Sequence, residues 1–239
     1  MVPLIEVRNL RFRYEDGTLA LDGVDFQLYP GETVALLGPN GAGKTTFVLH
    51  LNGLLRGEGL IRVCGLEVRN ENLPEIRRKV GLLFQDPDEQ LFMPTVLEDV
   101  AFGPLCRGLT SEEAERKARA ALAQIGMREA ASRAPYHLSA GEKRRVALAG
   151  VLASEPEILI LDEPTTYLDP PGQSDLLALL AGLPQAKIIV THDSLFAGQI
   201  ATRGVFFSQG KIIATGSVGE LTRRFGWSPH AAPLHRDSL

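Results

Sequence analysis

The chain has 239 residues, of which 44% are hydrophobic, and a formal net charge of −4 at pH 7. This length suits one large domain or two small ones with a well-buried core. The mild acidity gives no support for a nucleic-acid partner, which would need a clustered basic surface, and no apolar run approaches the roughly 20 residues that a membrane-spanning helix requires.

Residues 4 to 37 are predicted to form strands joined by turns. The start, MVPLIEVRNLRFRYEDG, alternates apolar and polar residues and lacks the apolar core of a signal peptide. Turns at Asp16-Gly17 and Pro30-Gly31 precede LDGVDFQLY and TVALLG. The last of these is a continuous apolar run, typical of a buried parallel strand. A helix, TTFVLHLNGLL, is expected after the glycine-rich loop that follows.

The rest of the chain alternates strands and helices. KVGLLFQ, EILILDEP and KIIVTHD read as short strands, and GVFFSQGKIIATG reads as a hairpin. Between the first two strands, residues of about 88 to 153 are predicted to be a helical insertion, which includes the helix TSEEAERKARAALAQIG. We therefore expect an α/β fold with a mainly parallel core over residues 1 to 222.

Neither the cysteines nor the histidines of the C-terminal end suggest a metal site. Cys64 and Cys106 lie far apart and are interpreted as ordinary buried thiols of a reduced compartment. Residues 223 to 239 contain proline and small residues without periodicity and are predicted to be a loose tail. His230 and His235 lie within that tail, and we assign them no function.

The stretch GPNGAGKT fits the phosphate-loop pattern G-x-x-x-x-G-K-[ST] at every specified position. Its glycines let successive N–H groups curl round a β-phosphate, the lysine reaches the β- and γ-phosphates, and the first threonine ligates Mg²⁺. A strand before the loop and a helix after it strengthen the match. The predicted nucleotide-binding residues here are Gly38, Pro39, Asn40, Gly41, Ala42, Gly43, Lys44, Thr45 and Thr46.

Polar side chains follow three further apolar strands. Asp162 ends ILILD and can hold the metal, and Glu163 is placed to polarise an attacking water as general base. His192 and Gln85 likewise follow buried strands. Because open α/β sheets bind ligands at the carboxyl ends of their strands, these side chains are predicted to meet at the phosphates, with Gln85 contacting Mg²⁺ and the water.

YHLSAGEKRRVAL contains a second small-residue turn that opens a helix. Ser139 and Glu142 fit the S-x-x-E capping box, with Ala140 and Gly141 between them. A helix start is also an anion site, because its first N–H groups point outward and the helix dipole adds partial positive charge. The turn therefore reads both as a helix cap and as a second phosphate contact.

In this order, the phosphate loop, Gln85, LSAGE, ILILDE, the pair Leu168-Asp169 and His192 resemble the ATP-binding subunit of ABC transporters over residues 4 to about 220. The resemblance implies a RecA-like P-loop NTPase core with an N-terminal antiparallel β-subdomain and an inserted α-helical subdomain. It also implies ATP and Mg²⁺ as ligands and ATP hydrolysis as the activity, with Tyr14 stacking on the adenine.

In that family two ATPase subunits pair head to tail, and the LSGGQ-like turn of one caps the γ-phosphate bound by the other. Carried over here, Ser139, Ala140, Gly141 and Glu142 would serve the partner's ATP, and Asp169 would lie at the dimer seam. The chain departs from the family pattern at Ala140 and Glu142, and at Tyr167, where many members have glycine. The second subunit is a copy of this chain or a related chain.

FQDPDEQLFMPTVLEDVAFGP is similar to the ATPases of energy-coupling factor importers, including cobalt and nickel systems. In those proteins this region borders a groove for a coupling helix of an integral membrane subunit, so Gln90, Leu91, Phe92 and Pro94 are the expected contact surface. The alternative is that Leu91 and Phe92 are core residues of the helical insertion.

The resemblance implies an importer ATPase for a transition metal ion or a vitamin, bound at the cytoplasmic face of the membrane. EPTTYLD also occurs in iron–siderophore importers, which remain an alternative. A soluble ATPase of the same superfamily acting on DNA or the ribosome is a second alternative. The short interval between Phe84 and Leu138 disfavours the DNA-repair members, which insert long coiled coils there, and a phosphate-loop kinase would leave LSAGE and His192 without a role.

Overall fold

The structure is a computed structural model that describes residues 1–227. The strands found there are β1 Ile5–Arg13, β2 Leu19–Leu28, β3 Thr33–Leu37, β4 Glu58–Val63, β5 Leu66–Glu67, β6 Val80–Leu83, β7 Ile158–Asp162, β8 Ala186–Val190, β9 Arg203–Ser208 and β10 Lys211–Gly216. The α-helices are α1 Lys44–Leu51, α2 Leu73–Lys79, α3 Val96–Cys106, α4 Ser111–Gln124, α5 Ala140–Ala153, α6 Pro170–Gly182, α7 Ser194–Ile200 and α8 Val218–Arg224.

Two sheets form the framework of the molecule. An antiparallel sheet has the order β2-β1-β4-β5, and a second sheet has the order β10-β9-β3-β8-β7-β6. In the second sheet β3 pairs in parallel with β8 and β9, and β7 pairs in parallel with β6 and β8. Only β10, which forms the hairpin with β9, runs antiparallel in it. The predicted α/β class with an N-terminal antiparallel β-subdomain is confirmed.

The central strands of the parallel sheet are buried on both faces. In β3, Val34 and Leu36 pack into a cluster with α1 and the antiparallel sheet. In β7, Leu159 and Leu161 point to the opposite face and pack into a cluster with α3, α4 and α5. Because successive side chains of a strand alternate between faces, burial of both faces requires the continuous apolar runs TVALL and ILIL.

The helical insertion lies between β6 and β7 in the chain, and each of its three main helices begins with a capping box. The N-cap hydroxyl accepts from the backbone N–H three residues on, and the Glu there accepts from the N-cap backbone N–H. The pairs are Thr95 with Glu98, Thr110 with Glu113, and Ser139 with Glu142. The capping box predicted for the last helix is therefore present.

The described part of the C-terminal end packs onto the domain instead of forming a loose tail. The Phe225 ring stacks on Phe206 with 4.0 Å between centroids, and Trp227 lies edge-on to Phe206 at 5.8 Å. Both side chains contact the cluster formed by β3, β9, α7 and α8. The first residues of the predicted tail thus belong to the domain, whereas His230 and His235 lie outside the described residues.

Some local predictions were wrong. The helix after the phosphate loop ends at Leu51 and not near residue 55, because Asn52 closes it and Gly53 adopts a φ of 69°. Of the two thiols expected to be buried, Cys64 is half-buried and Cys106 is exposed. The elements β4, β5, α2, α7 and α8 are short and were not predicted. Within residues 1–227, no helix is long and apolar enough to cross a membrane.

Candidate functional site

The phosphate loop connects β3 to α1 and depends on its glycines for steric reasons. Gly38 has a φ of 133°, and a Cβ there would collide with the backbone carbonyl of Phe207. Gly43 has a φ of 100°, and its Cβ would lie 2.5 Å from the carbonyl oxygen of Ala20. Gly43 is also the N-cap of α1 and supplies no side-chain acceptor. The loop therefore presents the first N–H groups of a helix without a capping side chain, an arrangement that favours an anion.

Lys44 is held inside the loop. Its Nζ donates to the carbonyl oxygens of Gly38, at 2.7 Å, and Pro39, at 2.9 Å. Burial lowers the pKa of the Lys44 ammonium, and the nearby carboxylates of Glu163 and Asp162 act in the opposite direction. The ammonium thus lies in the loop at a position from which it can donate to a bound phosphate.

Tyr14 lies beside the same loop. Its hydroxyl is 2.9 Å from Oγ1 of Thr46, so the ring stands over the first turn of α1. The ring also packs edge-on against Phe12 at 4.9 Å between centroids, and 40% of Tyr14 is exposed. The predicted adenine-stacking residue and the phosphate loop are therefore brought together.

Asp162 ends β7 opposite the start of α1. Its Oδ2 accepts a hydrogen bond of 2.8 Å from the Thr45 hydroxyl. Its Oδ1 is buried and has no hydrogen-bond partner among the described residues. Burial raises the pKa of this carboxyl, and the Thr45 hydrogen bond opposes that rise. A carboxylate oxygen without a partner next to a hydroxyl is an oxygen donor set that fits Mg²⁺.

Glu163 and His192 contact each other directly. His192 Nδ1 lies 2.8 Å from Glu163 Oε2, and the same oxygen accepts from the Thr191 hydroxyl at 3.3 Å. Glu163 is 7% exposed, and its φ of 46° is left-handed. Such a backbone costs about 1–3 kcal/mol and is maintained only when the surroundings hold it. The ends of β7 and β8 therefore bring these two residues into contact.

At the LSAGE turn, which starts α5, Ser139 and Ala140 are exposed, Gly141 and Glu142 are half-buried, and Leu138 is buried. Ser139 N–H donates to Glu142 Oε2 at 2.8 Å, and Arg133 donates to Glu142 Oε1 at 2.9 Å. The hydrogen bond from the Ser139 N–H contributes most to lowering the pKa of the Glu142 carboxyl, and the hydrogen bond from Arg133 lowers it further. Ala140 is exposed, and Gly141 lies against the backbone of residue 167. The turn is available for contact with another molecule.

The segment from 167 to 169 follows the carboxylates of Asp162 and Glu163 and lies beside this turn. Tyr167 has a φ of 69° and is 59% exposed. Its positive φ gives a physical reason for the glycine that many family members have here, because glycine adopts this conformation without strain. Asp169 is exposed and caps α6 by accepting from Gly172 N–H at 3.0 Å.

Gln85 lies two residues beyond the end of β6, with an exposed side chain. Its backbone carbonyl accepts a hydrogen bond of 2.8 Å from Arg144 Nη1. Arg144 is 2% exposed and lies between the ends of β6 and β7. The sequence analysis did not single out this residue, because a basic residue inside the helix that follows LSAGE belongs to none of the motifs.

A cavity of about 520 Å³ lies between α2, α3, α5 and the end of β6. Gln90, Leu91 and Phe92 are among the residues that line it, whereas Pro94 is exposed and lies outside its wall. Phe92 is 63% exposed, so the alternative of a core role does not hold for it. Leu91, in contrast, is half-buried and packs against the helical cluster.

Two polar side chains shape this cavity. Gln90 accepts from Phe84 N–H at 2.9 Å and donates to Leu82 O at 3.1 Å, so its amide extends the hydrogen bonding of β6. Asp99 Oδ1 accepts from Phe92 N–H at 3.0 Å, while Asp99 Oδ2 is buried without a partner among the described residues. Asp99 was not singled out from the sequence, because a buried acid in a helical insertion has no motif of its own.

Comparison with known proteins agrees with this geometry. The family model described as ABC transporter matches residues 21–166, which is more than half of the chain. The energy-coupling factor transporter ATP-binding protein EcfA of Methanocaldococcus jannaschii is 47% identical over 224 residues, which cover 91% of this chain and 80% of that protein.

Two solved structures share the fold over almost the whole chain. CbiO1 of Clostridium perfringens, described as part of the ABC transporter complex CbiONQ, has a TM-score of 0.83 and 35% identity and covers 94% of this chain and 92% of its own. The ATP-binding cassette MJ0796, as a dimer in a post-hydrolysis state with ADP and phosphate, has a TM-score of 0.82 and 28% identity and covers 90% and 98%. The chain belongs to the ATP-binding, ATP-hydrolysing subunits of the ABC transporter family.

Proposed function

We propose that this ATPase is the energising subunit of an importer that takes up a transition metal ion, such as cobalt or nickel, or a vitamin through a membrane partner. The observation that carries the proposal is the cavity beside residues 89–92, which is lined in part by exposed aromatic side chains. The domain that contains this cavity is similar to EcfA and CbiO1. A partner seated in that cavity would attach the ATPase to the membrane.

The chemistry of the cavity favours a helix with apolar side chains. Phe92 and Phe102 form an edge-on aromatic pair with 5.0 Å between centroids, and both are at least 40% exposed. Burial of such rings is a large favourable term in association. Asp99 also lines the cavity wall, with its Oδ2 buried and without a hydrogen-bond partner among the described residues. Pro94, outside the wall, would contact the partner from the rim.

The residues of the nucleotide site have separate tasks in this proposal. ATP replaces the loop carbonyls as the acceptor for Lys44, and Tyr14 stacks on the adenine. Thr45, Asp162 and Gln85 would hold Mg²⁺, which would neutralise negative charge on the phosphate oxygens. Glu163 accepts a proton from the attacking water.

His192 supports the base in this scheme. Its Nδ1 contact with Glu163 Oε2 fixes the direction of the carboxylate, and the Thr191 hydroxyl contacts the same oxygen. The opposite oxygen, Oε1, is thereby left to face the water. In this proposal the position of the base, Glu163, is thus set by residues at the ends of the neighbouring strands β7 and β8.

Closure of two ATPase subunits around ATP is the proposed mechanical step. Ser139, Ala140, Gly141 and Glu142 of one subunit would contact the γ-phosphate held by the phosphate loop of the other, and Asp169 would lie at the seam. The exposed capped start of α5 supports this role, and so does the likeness to a cassette described as dimeric. The second subunit is either a copy of this chain or a related chain.

In this proposal the protein lies at the cytoplasmic face of the membrane and is held there by integral membrane subunits, with no nucleic acid as partner. The test is capture of the tagged protein from detergent-solubilised native membranes, followed by mass spectrometry. We expect a multi-helix membrane protein, with or without a second ATPase, and its identity separates metal or vitamin uptake from siderophore uptake.

Two variants make the capture specific to the cavity. Phe92→Glu should abolish recovery of the membrane protein, because a carboxylate would have to be desolvated against Phe102. Ile213→Glu, at a 46% exposed apolar position on β10, is the matched control and should leave recovery unchanged. Recovery of soluble proteins or ribosomes alone would overturn the transport assignment and leave the ATPase chemistry standing.

A further inference from the structure

Arg144 is a buried charge at the fifth position of a capped helix, α5, and no role in nucleotide binding accounts for it. It is 2% exposed and is among the largest fully buried side chains of the described chain. Burial lowers the pKa of its guanidinium to about 10, which still leaves it charged at neutral pH. Burial of a charge is costly unless hydrogen bonds compensate it.

The compensation comes from five backbone carbonyls in two groups. Nη1 donates to the carbonyl oxygens of Phe84 and Gln85, beyond the end of β6. Nη2 donates to those of Asp162 and Glu163, at the end of β7, and Nε lies 3.5 Å from that of Pro164. The guanidinium of Arg144 thus links the segment after β6, which contains Gln85, to the segment at the end of β7, which contains Asp162 and Glu163.

The planar fork of arginine is suited to this task. A guanidinium has five N–H donors in fixed directions and no acceptor, so it can bind carbonyls on two sides at once. The ends of parallel strands leave carbonyls without strand partners, and these carbonyls lie where the ligand binds. The Arg144 contacts are therefore at the reaction centre and not in the remote core.

The backbone of Glu163 shows why such a constraint is needed. Its φ of 46° is unfavourable for a residue with a side chain. Glu163 N–H donates to Val190 O at 2.8 Å, and Glu163 O accepts from Arg144. Both polar groups of the strained residue are thereby held, and the direction of its carboxylate follows from them.

We propose that Arg144 is a positioning residue for ATP hydrolysis. Its guanidinium holds the carbonyls of Gln85 and Glu163 in a fixed relation, so that the amide of one and the carboxylate of the other meet the attacking water together. Because Arg144 belongs to α5, this relation is also fixed with respect to the LSAGE turn. The inference rests on the proposed roles of Glu163 and Gln85.

The test compares Arg144→Met with Arg144→Lys. Methionine removes every donor and keeps an unbranched chain, whereas lysine keeps the charge but cannot span both groups of carbonyls. In Arg144→Met we expect kcat for ATP hydrolysis to fall about 100-fold, the scale of loss known for misplacement of catalytic groups by about 1 Å. The Kd for ATP in calorimetry should stay within about threefold, a small change on the affinity scale. Arg144→Lys should give an intermediate kcat.

Arg119→Met is the matched control. Arg119 lies on α4 of the same helical layer, is 54% exposed at its side chain and pairs with Glu115. It should keep the kcat of the parent protein. If Arg144→Met does not fold in thermal denaturation, Arg144→Lys decides the question, and an unchanged kcat in that variant would overturn the inference.

The Glu163→Gln background separates positioning from general destabilisation. If Arg144 acts through Glu163, adding Arg144→Met to Glu163→Gln should lower the residual hydrolysis by much less than the loss it causes alone. If Arg144→Met lowered hydrolysis by the same factor in the parent protein and in Glu163→Gln, the positioning role of Arg144 would be overturned. A kcat that falls only in proportion to lost ATP binding would overturn it as well. Rapid hydrolysis by Glu163→Gln alone would instead show that the base is misassigned, and the inference would fall with it.

Discussion

Glu163→Gln is the substitution for which the structure gives the sharpest expectation. The amide has the same shape as the carboxylate, so Oε1 of glutamine can occupy the place of the oxygen that now contacts Thr191 and His192. The left-handed backbone remains held by Val190 and Arg144, because those bonds involve only main-chain atoms of residue 163. What the substitution removes is the capacity to accept a proton.

The expected magnitude follows from that single loss. A positioned general base contributes about 10²–10⁴-fold, so we expect kcat to fall by this factor, which corresponds to about 3–5 kcal/mol in the activation free energy. ATP binding should persist, because the phosphate loop and Tyr14 are unchanged. A protein that binds ATP without hydrolysing it should accumulate as the closed dimer.

Three measurements on one preparation test this expectation. Single-turnover hydrolysis gives the chemical step, calorimetry gives the Kd for ATP, and sedimentation gives the fraction of dimer with and without ATP. Glu157→Gln is the control, since Glu157 directly precedes β7 but forms an ion pair with Lys79 at the far end of the strand. Single-turnover hydrolysis within about threefold of the parent rate, a difference of under 1 kcal/mol, would refute the assignment of Glu163 as base.

Three further substitutions test other parts of the site. Lys44→Ala should abolish tight ATP binding, and an unchanged affinity in calorimetry would contradict the phosphate-loop assignment. Ser139→Arg should keep ATP binding but lose dimer closure and hydrolysis, whereas Thr110→Arg, which loses an equivalent cap worth about 1 kcal/mol, should lose neither. The pKa of Glu142 is lowered in the folded state, so its contribution to stability is present above the ordinary carboxyl pKa and is lost as pH falls through the folded-state pKa. Glu142→Gln should therefore make the acid-side fall in the thermal midpoint shallower, and an identical profile would show that the carboxylate is not stabilising.

The grouping of the candidate nucleotide-site residues was predictable because these residues are adjacent to strands. Each catalytic candidate follows a buried apolar run, and parallel strands bring such positions to one edge of a sheet. This rule predicts that His192 and Glu163 lie at the same edge of the sheet. Their direct contact depends in addition on β7 and β8 being neighbours, which the structure shows.

Residues whose roles depend on packing between distant elements were not predictable. Arg144 belongs to no motif in the sequence, and only the position of α5 against the ends of β6 and β7 buries it. Gln90 belongs to a motif expected to face a partner, yet its amide is used by the backbone of β6. Phe225 and Trp227 show no periodicity, and both are half-buried against a cluster from distant elements that includes Phe206 of β9.

One helix connects the three surfaces on which the proposed cycle depends. α5 begins at the LSAGE turn and carries Arg144, which donates to the backbone carbonyl of Glu163. The same helix contributes Ala147 and Val151 to the wall of the cavity. Its 14 residues span about 21 Å. Closely packed interiors do not deform continuously, so a partner that displaces this helix also displaces the donors that hold Glu163 and the turn that would meet the second ATP. Arg144 should for this reason affect the dependence of hydrolysis on the membrane partner as well as its basal rate.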